Sequence, residues 1–136
     1  MIGATFLCDK KRFIEIGMFD EDFFFYWEDV ELSNRIKIFK YKIYENQKSQ
    51  AIHQNGNSSI DGFKTDFIRY ENFIFGELLY DYKCKKIRFV KIFRKFLQAI
   101  CLSILNVILL RFKDANINLS KIVGVIKFIK FILKNK

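Results

Sequence analysis

From residue 84 onward the chain carries 13 lysines and arginines against one acid, Asp114, a net of +12. These charges sit among Ile, Phe and Leu, in a sequence that has no proline at all. A segment so basic and so apolar has few ways to fold. Its apolar residues recur at helical spacing, which predicts two basic amphipathic helices over 87–133. The break is expected around "KDANINLS", where Asn118 or Ser120 would cap the second helix. The apolar run at 96–110 is interrupted by Gln98, Ser103 and Asn106. At about 1.5 Å per residue it reaches about 22 Å, short of the roughly 30 Å of a hydrocarbon core. Helices of this kind lie in the membrane interface, with Lys91, Arg94, Lys95, Lys127 and Lys130 turned to anionic headgroups. A nucleic-acid partner fits poorly, because such helices are too apolar for a phosphate-binding surface. The expected partner is therefore an anionic membrane surface and not nucleic acid.

The front of the chain is different. Residues 1–60 hold 8 basic and 9 acidic residues, so the net charge of +9 comes from the tail, and the asymmetry suggests two jobs. A length of 136 residues suits one domain, and 51% hydrophobic residues with 17 Phe suffice for a core. Cys8, Cys84 and Cys101 form no CxxC or Cys/His spacing, so reduced thiols are expected rather than a disulfide framework or a zinc site. "IGATFLCDKK" lacks the layout of a signal peptide. "GATFLC" reads as a buried strand, and "DKKRFIEIG" as one or two helical turns capped by Asp9 and closed by Gly17. Val30, Leu32, Ile36 and Phe39 place a helix at about 28–40. "YKIYEN" and "SQAIHQ" read as two strands, "NGNSSIDG" as a loop, and 61–82 as a long helix.

Residues 17–37, "GMFDEDFFFYWEDVELSNRIK", gather six carboxylates and six aromatics. Glu28, Asp29 and Glu31 fall in the first turn of the expected helix, where the dipole stabilises each by about 0.3–1 kcal/mol. Neighbours on a helix point about 100° apart, so Glu28 and Asp29 do not share one ligand symmetrically. One carboxylate facing a cleft while the other holds the helix end would suit a general base; simple capping explains the same pair. His53 is the single histidine and precedes a Gly/Asn/Ser loop, a place where binding residues gather, although a lone histidine is commonly structural.

The order of these pieces resembles the C-terminal half of the catalytic domain of family 2 glycosyltransferases, especially rhamnosyltransferase-like members. The likeness runs through Gly3-Ala4, Lys11-Arg12, Phe13, Ile16-Gly17, Phe19-Asp20-Glu21, Phe23-Phe24 and Tyr26. It continues through Glu28-Asp29, Glu31-Leu32, Arg35, Tyr41, Ile43, Tyr44, Ala51, His53, Gly56 and Ser58. Met18 and Lys40 stand where the family has glycine, and no proline precedes the histidine strand.

The resemblance implies an α/β chain: a partial GT-A domain, its acceptor-side half at 1–60, a connecting helix at 61–83 and the basic membrane-associating helices at 84–136. It implies inverting transfer of a sugar from a nucleotide-sugar donor to a saccharide or lipid-linked acceptor in bacterial surface polysaccharide assembly. The expected place is the cytoplasmic face of the inner membrane. Asp29 would be the general base, Glu28 its orienting neighbour, and Tyr26, Trp27 and Arg35 acceptor-binding residues. His53 would hold Mn²⁺ or Mg²⁺ with the family's DxD motif; Asp20-Glu21-Asp22 has that spacing but stands at the family's "FDE" position and is not that motif. The resemblance includes no nucleotide-binding half, so it implies a chain that would be inactive without a separate donor-binding half. The alternatives are a non-catalytic relic, or a membrane-associated interaction module.

Overall fold

The computed structural model describes residues 6–48, 50 and 62–135. Five helices follow in order: α1 (Lys10–Glu15), α2 (Glu28–Ile38), α3 (Phe63–Lys83), α4 (Phe89–Ile108) and α5 (Phe112–Lys134). The Asp9 carboxylate accepts the Arg12 N–H at 3.1 Å and starts α1, and Gly17 at φ 88° ends it, as the sequence predicts. Helix α2 begins where expected, and α3 covers nearly all of its predicted span.

The bundle is built on α5, which packs along both α3 and α4. Leu78 and Leu79 of α3 meet Val125 and Phe128 of α5 at its centre, all four essentially sealed from water. Full burial of each such side chain is worth about 1.5–3 kcal/mol. Ile92 of α4 and Phe23, from the loop before α2, complete the same cluster. Trp27 leans on Phe73 and Tyr80, with ring centroids 5.8 and 5.5 Å away, and so fastens the N-terminal segment to α3.

The α/β expectation and the partial GT-A domain are corrected here: the described residues form a helical bundle and include no β-strand. A strand is stable only when its backbone groups pair with a neighbour and one face is covered. Residues 41–46 meet neither condition. Ile43 and Tyr44 are both exposed, and the chain there is irregular. The Tyr41 N–H instead closes the end of α2 on the Ile36 carbonyl at 3.0 Å, and its hydroxyl donates to Glu15 at 2.8 Å. Residues 6–8 of the first expected strand are also irregular; its earlier residues, and nearly all of "SQAIHQ", lie outside the described residues.

The break between the last two helices is corrected too. It falls at 109–111, ahead of "KDANINLS", and leaves Asn118 and Ser120 buried inside α5. Their side chains turn back onto the Asp114 and Ile117 carbonyls at 2.9 and 2.7 Å rather than capping anything. The turn is made by Leu110 at φ 56°, whose N–H and that of Arg111 bond the Val107 and Asn106 carbonyls. Lys40 and Lys85 take the same left-handed conformation after α2 and α3. Non-glycine residues hold it at a cost of roughly 1–2 kcal/mol. Leu110 is largely exposed and gives up little packing. Leu110→Gly is therefore expected to stabilise the fold by about 0.5–1 kcal/mol, read as a higher urea midpoint at unchanged slope.

Candidate functional site

Two regions carry the chemistry anticipated from sequence, and their geometry differs. In the acidic and aromatic stretch, Tyr26 and Trp27 both adopt positive φ, 68° and 72°, and this turn aims the chain into α2. Gly76 of α3 makes room for it: a Cβ there would stand 3.0 Å from Trp27 Cδ1 and 3.1 Å from the Tyr26 carbonyl oxygen. Asp29 Oδ1 accepts the Val30 N–H at 2.8 Å, and its carbonyl accepts the Ser33 hydroxyl at 2.6 Å. Glu28 Oε2 and Trp27 Nε1 are enclosed without a hydrogen-bond partner among the described residues.

Arg35 is an internal clamp. Its guanidinium grips the buried Glu31 carboxylate through two bonds of 2.6 and 2.7 Å and donates to the Ile16 and Met18 carbonyls. Nearby, Lys83 of α3 donates to Asp20 and Asp22, each at 2.5 Å, and lies 5.4 Å from the Phe23 ring centroid. Burial pulls its ammonium down, but the two carboxylates outweigh that and raise it above its ordinary value. Three of the acids that stand out in sequence thus serve packing: Glu31, Asp20 and Asp22 tie the N-terminal segment together and to α3.

His53 lies outside the described residues. Among the described ones, no three His, Cys, Asp or Glu side chains come together as a metal site. The cation was expected on His53 with the family's metal-binding DxD, and Asp20-Glu21-Asp22, the triplet of that spacing here, is held by Lys83, so no step is assigned to it.

The second region is α4. On the side opposite its buried Ile92 and Ala99, Phe93, Leu97, Ile104 and Ile108 are 68%, 49%, 57% and 71% exposed. The stripe reaches about 27 Å from Val90 to Ile108 and runs on into the turn through Leu109 and Leu110. The lysines of the same helix point inward. Lys91 pairs with Glu77 at 3.1 Å and with Asp81, and Lys95 pairs with Glu77 at 2.9 Å. Hydrogen bonding to Asp81 leads the effects that raise Lys91 above its ordinary range. Helix α4 therefore turns much of its charge toward α3 and its apolar side outward.

Of the five cations expected at a membrane, Lys91 and Lys95 face α3, and Lys127 bonds Glu71 at 3.1 Å and Asn72 at 2.9 Å. Arg94 and Lys130 are exposed. Sequence reading missed Glu77 and Asp81. Their spacing of four residues matches that of Lys91 and Lys95 on the next helix, which is a usable signal of facing helices.

Comparison with protein-family models, with curated proteins and with solved structures finds no match to this chain. The resemblance to family 2 glycosyltransferases is overturned. Its motif residues from 17 to 44 form helix and irregular chain, whereas a GT-A domain is built around a sheet.

Proposed function

We propose that the chain is a membrane-associated interaction module that seats the outward face of α4 in an anionic lipid surface. The observation behind this reading is the inverted polarity of α4, with lysines on α3 carboxylates and a continuous apolar stripe toward solvent. Such a stripe gains free energy in the headgroup boundary, and each Lys or Arg held near an anionic surface adds about 1 kcal/mol. Exposed Lys85, Lys86, Arg88 and Arg94 cluster at the start of the helix, and Lys130 and Lys134 stand on α5. No described helix is long and apolar enough to cross a membrane, so the contact envisaged is peripheral. The cytoplasmic leaflet, whose lipids carry negative charge, is the surface this arrangement suits. Sugar transfer was expected from the resemblance alone and loses that support with it.

Co-sedimentation with phosphatidylcholine vesicles, with and without phosphatidylglycerol, tests the reading. The pair Leu97→Glu and Ile104→Glu is expected to weaken binding by about 30-fold or more, equivalent to about 2 kcal/mol. Arg94→Glu should weaken binding to the anionic vesicles only, and Asp29→Asn should change nothing. Circular dichroism of each variant guards against unfolding. Vesicle binding by the double glutamate variant equal to that of the wild type would remove α4 from the interface and with it the proposal.

A further inference from the structure

A cavity of about 350 Å³ lies between α3, α4 and α5, on the flank of α4 away from the apolar stripe. That volume is at the small end of ligand pockets, which run from roughly 300 to 1,000 Å³. Ile74, Ala99 and Val125 are buried and form its floor, while Leu102 and Phe73 stand partly exposed at the rim. Its polar lining is Glu77, Lys95, Gln98, Asn118 and Lys121.

The charges among these residues do not balance. Glu77 is already engaged by Lys91 and Lys95. Lys121 donates to Asn118 Oδ1 at 3.1 Å and lies 5.7 Å from the Tyr70 ring centroid, but no carboxylate among the described residues stands within ion-pairing distance. An ammonium has three N–H donors, and among the described residues this one spends a single donor, on a neutral amide. Burial, and then the charge of Lys95, push the Lys121 ammonium down, with Asp114 opposing. An anion placed against Lys121 would remove that deficit, and the apolar floor asks for a hydrocarbon.

We propose that this cleft binds a single-chain anionic amphiphile, its phosphate or carboxylate head on Lys121 and the Gln98 amide and its chain over Leu102, Ala99 and Ile74. The site stands apart from the proposed membrane face, since Leu97 and Ile104 do not line it.

Isothermal titration of the full chain with octyl phosphate and with octanoate, both kept monomeric, tests this. Inorganic phosphate and octanol serve as the head-only and chain-only probes. Both amphiphiles, or one of them, should bind more tightly than either probe, and the tighter head distinguishes a phospholipid-type ligand from a fatty acid. Lys121→Gln is expected to weaken the amphiphile by about tenfold or more, the loss of a charge-assisted contact, while leaving octanol unchanged. Leu102→Trp, at the exposed rim, should weaken amphiphile and octanol alike. The double glutamate variant of α4 should lose vesicles and keep octyl phosphate, which separates failure of the cleft from failure of the membrane reading. Equal binding by wild type and Lys121→Gln, inorganic phosphate as tight as octyl phosphate, or no binding of either amphiphile would overturn the proposal.

Discussion

Replacing Gly124 by alanine is expected to lower the stability of the bundle by about 2 kcal/mol, although alanine is the better helix former. A Cβ at this position would sit 2.5 Å from the Glu71 carbonyl oxygen and 3.1 Å from the Ile74 Cβ. The obstructing atom belongs to the backbone of α3, in mid-helix, so no rotamer change relieves the clash. The two helices must part at this point. The layer that would open is sealed from water, with Leu78 and Leu79 clustered with Val125 and Phe128. Helix propensity returns about 1 kcal/mol, while forced overpacking commonly costs about 1–3 kcal/mol and occasionally more. The obstruction wins because a backbone atom at that distance lies well inside contact range. Thermal unfolding followed by circular dichroism should show a midpoint lower by about 5–10 °C. A raised midpoint would mean that α3 and α5 do not approach this closely in solution.

Arg35→Ala should cost about as much, for an electrostatic reason. Glu31 is 8% exposed, and both of its carboxylate oxygens accept from the Arg35 guanidinium. Removing the arginine leaves that charge without its partner and strands the Ile16 and Met18 carbonyls that receive the remaining donors. Breaking a buried pair from one side costs about 3–5 kcal/mol. The Arg35 side chain retains 20% of its exposure, so water recovers part of that, and about 2–3 kcal/mol is expected. Arg35→Lys should recover less than half, because an ammonium cannot span a carboxylate and two carbonyls in one plane. Urea unfolding measures the loss, and hydrogen exchange should place it at α1 and the start of α2. A loss below about 0.5 kcal/mol would return Arg35 to the solvent-facing role that a ligand contact requires.

These two residues also show why the functional reading from sequence and the fold diverge. Arg35 follows Glu31 by four residues, a pair visible from spacing alone, yet nothing local says that the guanidinium also reaches back to the end of α1. Asp29 and Glu28 fall in a first helical turn, as their positions suggest, and Asp29 caps the next N–H. The order of aromatic and acidic residues across 17–37 that suggested a catalytic half-domain is, in the structure, an irregular segment and a helix pinned to α3. Lys83 holds it through Asp20 and Asp22, and Phe73 and Tyr80 hold it through Trp27. An ordered motif reports local chain conformation well, but it does not report whether a sheet stands behind it.

What the sequence determined by itself is local: the Asp9 cap, the Gly17 stop, the start of α2, most of α3, and two basic amphipathic helices at the end. Each depends on contacts within a turn or two of chain, where propensity, capping and apolar spacing agree. Tertiary structure decided the rest. The turn at Leu110 escaped notice because leucine gives no sign of a left-handed residue; only the packing of α4 back along α5 imposes it. Residues 41–46 have strand composition, but a strand exists only through a partner. The inward aim of Lys91 and Lys95 follows from Glu77 and Asp81 on α3. Helix α4 has apolar residues around much of its circumference, so its own pattern is consistent with more than one orientation. The opposite charges on the neighbouring helix select the one that leaves Phe93, Leu97, Ile104 and Ile108 facing outward.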